Sequence, residues 1–238
     1  MNMQVLILLG GKGTRIQSLY GDRPKCLVPV AGKPFMLWQL EWLRCSGIRR
    51  VHLAAGYMAD VLRAWLKINA PADMDITVSV EPEPRGTGGA IRFAAPWIRA
   101  DPFFVLNGDS LSPGLNFGSM QAAYNVTPQA LVTIGVAPIN RTGRYGTVEF
   151  DGENRVTAFL EKQDREQGWI NTGVYCISRK LLERIEPDGN ISIETAVFPV
   201  LASEGVLYVQ PVEPPLLDMG TPDGLQEMTG WLEKSRGW

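Results

Sequence analysis

Leu9-Gly10-Gly11-Lys12-Gly13-Thr14-Arg15 follows an apolar run and is the first place in the chain where residue types could do chemistry. Glycines let backbone N–H groups come close to an anion, and Lys12 and Arg15 add positive charge, so the loop suits a phosphate. It lacks the Gly-Lys-Ser/Thr end of a P-loop, and Ile16 stands where a dinucleotide fingerprint needs its third glycine. A Gly-rich turn with solvated cations is the competing reading. Pro24-Lys25-Cys26 holds a lysine on a stiff segment, which suits aiming a point charge at phosphate; a plain surface lysine is the alternative. Glu81-Pro82-Glu83-Pro84-Arg85-Gly86-Thr87-Gly88-Gly89-Ala90 places glycines before a helix, where backbone N–H groups are open to a ligand. Leu106-Asn107-Gly108-Asp109 sets a carboxylate just past a strand, where open α/β sheets bind ligands. A turn or cap role is the alternative for Asp109.

These loops need elements to carry them. The pattern predicts strands over 5–9, 51–55, 76–80 and 103–106. Between them lie helices: one carrying Phe35 to Leu43 and closed by Gly47, one over 58–66 and a short one over 87–98. Repeated β-α-β implies a parallel sheet covered on both faces. Further strands are predicted over 130–136, 146–150, 156–161 and 170–177, and helices over 180–185, 192–203 and 222–234. The expected architecture is a single α/β domain over 1–238, a mixed sheet whose later strands cover the substrate.

Composition narrows the function. The chain has 238 residues, 45% of them hydrophobic, enough for one sizeable core. A net charge of -2 argues against nonspecific grip on nucleic acid. The three cysteines, Cys26, Cys45 and Cys176, form no close pair, so neither a disulfide framework nor a CxxC metal site is expected. The one histidine, His52, sits in a predicted strand and reads as structural. No apolar run reaches the ~18 residues of a membrane helix, and the cytoplasm is the expected location.

Taken in order, these motifs resemble the sugar-1-phosphate nucleotidyltransferases, or nucleotide-sugar pyrophosphorylases. That signature runs Gly-Gly-x-Gly-Thr-Arg, Pro-Lys, Gly-Thr-Gly-Gly-Ala and Asn-Gly-Asp. It continues here with Arg144-Tyr145-Gly146-Thr147-Val148, Glu161-Lys162, Ile170-Asn171-Thr172-Gly173 and Asp218-Met219-Gly220. The resemblance implies a Rossmann-like mixed sheet of the nucleotide-diphospho-sugar transferase type. A nucleotide-binding half is expected over 1–110 and a sugar-phosphate-binding half over 111–238, without a C-terminal β-helix domain. It implies attack by a sugar 1-phosphate on the α-phosphorus of a nucleoside triphosphate, with Mg²⁺ and little proton transfer.

The resemblance also assigns roles. Gly10, Gly11, Gly13 and Thr14 should donate to the triphosphate, with Gly86 and Thr87 also on the nucleotide. Arg15 should hold the departing phosphates and Lys25 the α-phosphate. Asp109 and Asp218 should hold Mg²⁺. Lys162 should bind the sugar phosphate, Glu161 a sugar hydroxyl, and Asn107, Gly146 and Asn171 the sugar pocket. Thr172 stands where alanine or glycine is usual, which is expected to change the fit beside the sugar.

Glu81 stands where thymidylyl and uridylyl members often carry glutamine. A carboxylate only accepts hydrogen bonds, and guanine offers N1–H and the N2 amine side by side, so GTP is expected. Guanylyl transfer to D-glycero-α-D-manno-heptose 1-phosphate is the nearest resemblance. Mannose 1-phosphate and uridylyl transfer are the alternatives within the family. A non-catalytic nucleotide-sugar-binding subunit is the alternative outside it, disfavoured because Arg15, Lys25, Asp109 and Asp218 are all present. The expected partners are these small molecules, with a homodimer left open and no nucleic acid or membrane.

Overall fold

Residues Gln4–Leu9 form β1, whose side chains split by alternation: Val5 and Ile7 enter one buried cluster and Leu6 the other. A strand apolar on both faces needs cover on both. The protein is described by a computed structural model over residues 3–11, 21, 23–140, 147–160 and 166–235, where helices supply that cover. A small hairpin, β2 (Pro29–Val30) and β3 (Lys33–Pro34), leads directly into α1 (Phe35–Cys45). α1 buries Phe35, Trp38 and Trp42, and the chain leaves it through Gly47 at φ 77, a left-handed exit that glycine makes without strain. Then come β4 (Arg50–Ala55), α2 (Ala59–Asn69), β5 (Asp75–Val80), α3 (Gly86–Phe93) and β6 (Phe103–Asn107). α3 is shorter than the predicted 87–98 and passes into a 3₁₀ turn at Ala95–Trp97. Pro96 has no N–H to continue the α-helical ladder.

The second half begins with β7 (Ser110–Leu111) and α4 (Phe117–Asn125), a helix not expected from the pattern. Asn116 caps it by accepting from the Ser119 N–H at 2.9 Å. β8 (Val132–Ile139), β9 (Thr147–Phe150), β10 (Val156–Leu160) and β11 (Gly168–Ile177) follow. The predicted helix over 180–185 is a 3₁₀ segment, Arg179–Arg184. The predicted helix over 192–203 is a π-helical turn, Ile193–Val197, running into α5 (Phe198–Ser203). Pro199 again removes a ladder donor at the junction. β12 (Leu207–Pro211), β13 (Leu217–Asp218) and α6 (Pro222–Ser235) complete the described chain.

The main sheet runs β10-β9-β11-β6-β1-β4-β5, with β8 on β11 and β12 on β8. β6, β1, β4 and β5 are parallel, and β11 joins them antiparallel. This is the expected Rossmann-like mixed sheet, parallel early and strand-rich later. β11 shifts register between Asn171 and Tyr175, with Gly173 at φ 74 inside the shift. Such irregularities bend a strand and re-aim its side chains. His52 lies fully buried on β4, its ring nitrogens 2.7 Å from Thr77 Oγ1 and 2.9 Å from Ser79 Oγ. Burial pushes its imidazole down to about 4, and its ring stacks on Trp97 away from the site described next.

Candidate active site

The carboxyl ends of β5, β4, β1 and β6 open into a cleft of about 470 Å³, lined by Gly10, Gly11, Lys25, Glu81, Asn107 and Asp109 among others. Parallel strands place their following loops on one rim, where such sheets bind ligands. Residues that lie 100 positions apart in the chain can therefore meet there.

Glu81 follows β5, and its N–H still donates to Ala55 O at 2.9 Å. Its carboxyl turns over Gly10, where an added Cβ would stand 3.4 Å from Glu81 Oε2. Glu81 is 7% exposed. Oε2 accepts from the Arg85 N–H at 3.3 Å, while Oε1 is buried with no hydrogen-bond partner among the described residues. Burial pushes this carboxyl above its ordinary range, partly offset by the Arg85 backbone N–H and the Arg85 charge. A buried acceptor without a donor is costly, and this one borders the cleft.

The glycine run after Glu81 behaves differently from the sequence expectation. The N–H groups of Gly88 and Gly89 are not open to a ligand, because both donate to Ile191 O, at 2.8 and 3.3 Å. The Ile191 N–H in turn donates to Arg85 O at 2.8 Å. Gly86, at φ 70, permits this contact: a Cβ there would stand 2.5 Å from Ile191 O. The Thr87 hydroxyl donates to Glu194 Oε2 at 2.7 Å and accepts from the Ile193 N–H at 2.8 Å. Gly86 and Thr87 line the cleft, but much of this run is committed to holding residues 190–194.

At the other end, Lys25 lies in a 3₁₀ turn, Lys25–Leu27. Its Nζ meets Asp109 Oδ2 at 2.5 Å, and the Ser110 hydroxyl donates to Asp109 Oδ1 at 3.1 Å. Asp218 arrives through β13, which pairs with β7 so that Asp218 faces Ser110 across the ladder. The Met219 N–H donates to Asp109 O at 3.0 Å. Two segments distant in sequence, each carrying an aspartate, are thus joined backbone to backbone. Asp218 Oδ1 accepts from the Gly220 N–H at 2.7 Å. Among the described residues, no group of three or more His, Cys, Asp or Glu side chains gathers as a metal cage.

Asn107 packs against Gly173, where a Cβ would stand 2.6 Å from Asn107 Nδ2. Asn171 Nδ2 donates to the Tyr175 hydroxyl at 2.9 Å, and its Oδ1 accepts from the Gly173 N–H at 2.8 Å. Thr172 is buried. Its buried hydroxyl donates to Gly135 O at 2.9 Å, and Gly135 has no side chain to obstruct it. The alternation of β11 turns that side chain into the sheet. Gly13, Thr14, Arg15, Gly146, Glu161 and Lys162 lie outside the described residues.

Sequence reasoning did not single out Glu194. It accepts from Thr87, from Ser192 Oγ at 2.9 Å and from the Tyr175 hydroxyl at 3.2 Å, tying α3 to β11. A lone glutamate in the apolar stretch Ile191-Ser192-Ile193-Glu194 was the available signal. Tyr57 and Asn190, which line the cleft, were also not singled out.

The family model described as nucleotidyl transferase matches residues 4–235. The chain is 34% identical over 224 residues to mannose-1-phosphate guanylyltransferase of Mycobacterium tuberculosis, covering 93% of this chain and 62% of that protein. It is 33% identical over 192 residues to D-glycero-α-D-manno-heptose 1-phosphate guanylyltransferase of Campylobacter jejuni, covering 81% and 83%. The crystal structure of HddC from Yersinia pseudotuberculosis superposes with a TM-score of 0.84 at 32% identity, covering 96% of this chain and 99% of that one. The same protein complexed with GMP-PN gives 0.83 at 31% identity, covering 96% and 99%.

Proposed function

The chain belongs to the nucleotidyl transferase family, and from that premise we propose that it transfers a guanylyl group from GTP to D-glycero-α-D-manno-heptose 1-phosphate. A phosphate oxygen of the sugar 1-phosphate attacks the α-phosphorus, the bond to the β-phosphate oxygen breaks, and pyrophosphate leaves. The observation that carries the base is Glu81, a buried carboxylate whose Oε1 has no partner among the described residues. Guanine supplies two adjacent donors to such an acceptor; uracil supplies one and sets a carbonyl beside it. The relatives from M. tuberculosis and C. jejuni are both guanylyltransferases.

In this reading Gly10 and Gly11 pass the triphosphate closely, and Lys25 leaves Asp109 to neutralise the α-phosphate. Arg15 steadies the departing pyrophosphate. Asn107, Gly146, Glu161 and Asn171 hold the sugar, and Lys162 its phosphate. Little proton transfer is needed, so orientation and charge neutralisation carry the rate. Asp109 and Asp218 would hold Mg²⁺. Their shared backbone ladder fits this role, because Mg²⁺ takes a carboxylate or two and completes its shell with substrate phosphates and water. When bound, the ion stabilises negative charge on the reacting phosphates.

The heptose assignment is supported by the C. jejuni relative, which matches over 83% of its own length. Mannose 1-phosphate is the second reading, favoured by the M. tuberculosis match over 93% of this chain. Pyrophosphate release from GTP, ATP, CTP, UTP and dTTP with heptose, mannose and glucose 1-phosphates tests both. GTP should lead with the manno-heptose. A lead for UTP would overturn the base assignment, and a lead for mannose 1-phosphate the sugar assignment.

A further inference from the structure

We infer that Tyr57 is the stacking face for the nucleobase, an inference that rests on the nucleotide reading given above. The strand order fixes where each loop residue stands. Glu81 follows β5, Tyr57 follows β4, Gly10 and Gly11 follow β1, and Asp109 follows β6, and these strands lie side by side in the order β5-β4-β1-β6. Neighbouring strands are ~4.8 Å apart, so the row spans about 14 Å, a length suited to a base at one end and phosphates at the other. Glu81 marks the base end and the Lys25–Asp109 pair the phosphate end. Tyr57 stands in the row between Glu81 and the glycine loop.

Tyr57 lines the cleft and is 40% exposed, among the few large apolar side chains left uncovered. Its ring stacks on no other aromatic ring among the described residues. The backbone around it is held firmly. Gly56 packs on Gly10, where an added Cβ would stand 3.2 Å from Gly10 Cα. Met58 adopts φ 57 and ψ 32, a left-handed conformation unusual for a residue with a side chain. Hydrogen bonds from the Ala59 N–H to Gly56 O and from the Leu62 N–H to Met58 O, both 3.3 Å, keep it there. Such strain persists where surrounding structure enforces it, and it concentrates at ligand clamps. Here it carries the chain from β4 into α2 while leaving the tyrosine at the rim. The face of an aromatic ring binds any base by stacking, whereas Glu81 discriminates by hydrogen bonding.

Calorimetric titration of GTP, UTP and inorganic triphosphate into the Mg²⁺-supplemented wild type, Tyr57→Ala and Tyr57→Phe tests the assignment. Tyr57→Ala should weaken the preferred nucleotide by about five- to a hundredfold, as loss of a base–aromatic stack does. Tyr57→Phe should stay within about threefold of wild type, because it keeps the ring. Triphosphate, which has no base, should bind all three proteins alike. Unchanged nucleotide binding in Tyr57→Ala would overturn the stack. So would an equal loss for triphosphate, which would make Tyr57 a support of the glycine loop. A wild type that prefers UTP defeats the guanine reading alone, because the Tyr57→Ala loss is then read on UTP.

Discussion

Replacing Glu81 with glutamine separates stability from base choice, since the two should move in opposite directions. Burial pushes the Glu81 carboxyl upward, so its ionised form is disfavoured in the folded protein. A carboxyl raised in this way supports folding below its unfolded-state value, and that support is lost as pH rises through its folded-state value. Glu81→Gln is neutral at every pH and nearly the same shape. It should therefore melt higher than wild type at pH 8, by a few degrees, since ~1 kcal/mol corresponds to about 2–4 °C in a chain of this length. The gain should shrink as pH falls towards the ordinary carboxylate range. Base choice should suffer instead. The amide keeps one acceptor but turns an NH₂ towards a guanine donor, and a lost charge-assisted hydrogen bond is worth about 1.5–3 kcal/mol, or roughly ten- to a hundredfold in kcat/KM for GTP. Pyrophosphate release with GTP and UTP, alongside thermal melts at pH 8 and pH 5, reads both effects. An unchanged GTP-to-UTP ratio would refute the guanine contact. A lower melting temperature at pH 8 would refute the account of its burial.

Asp109→Asn should lower turnover by at least about a hundredfold while circular dichroism stays that of wild type, because charge neutralisation of reacting phosphates is worth several kcal/mol. Asp218→Asn should behave similarly, and the double variant should lose far less than the product of the two losses; normal turnover of either with Mg²⁺ would remove that residue from the metal site. His52 offers a pH test, as burial pushes its imidazole from 6.5 down to about 4. A depressed value means that stability present above about 6.5 is lost as pH falls towards about 4. The imidazole protons of this single histidine should titrate near the lower value by NMR, and titration near 6.5 would show the ring to be accessible.

The parallel half of the sheet was legible because each strand is a short apolar run bounded by turn residues and followed by a helical period. Gly47 marked the end of α1 for the reason it usually does. Elements of two residues carry no periodicity, so β7 and β13 were invisible, and with them the ladder that joins Asp109 to Asp218. The glycines that open α3 looked like an open anion site. Only the fold shows that the carbonyl occupying two of their N–H groups belongs to Ile191, about a hundred residues later. Pro96 shortened one predicted helix, and Pro199 stands where a π-helical turn gives way to α5, each through a missing donor, a local effect that the sequence does display. The burial of Thr172 against Gly135 was not legible, because it depends on the register of β11 against β8 and on the space left by Gly135. Tyr57 follows a predicted strand like any loop residue; its meaning depends on which strands stand beside β4.

The most direct test of guanylyl transfer is ³¹P NMR of a reaction containing the protein, Mg²⁺, GTP and D-glycero-α-D-manno-heptose 1-phosphate. The sugar monophosphate signal should be replaced by the coupled pair of a diphosphate diester, together with pyrophosphate in equal amount. Phosphate or GDP appearing without that pair, or no change when every component is present and the protein is folded, would contradict the account.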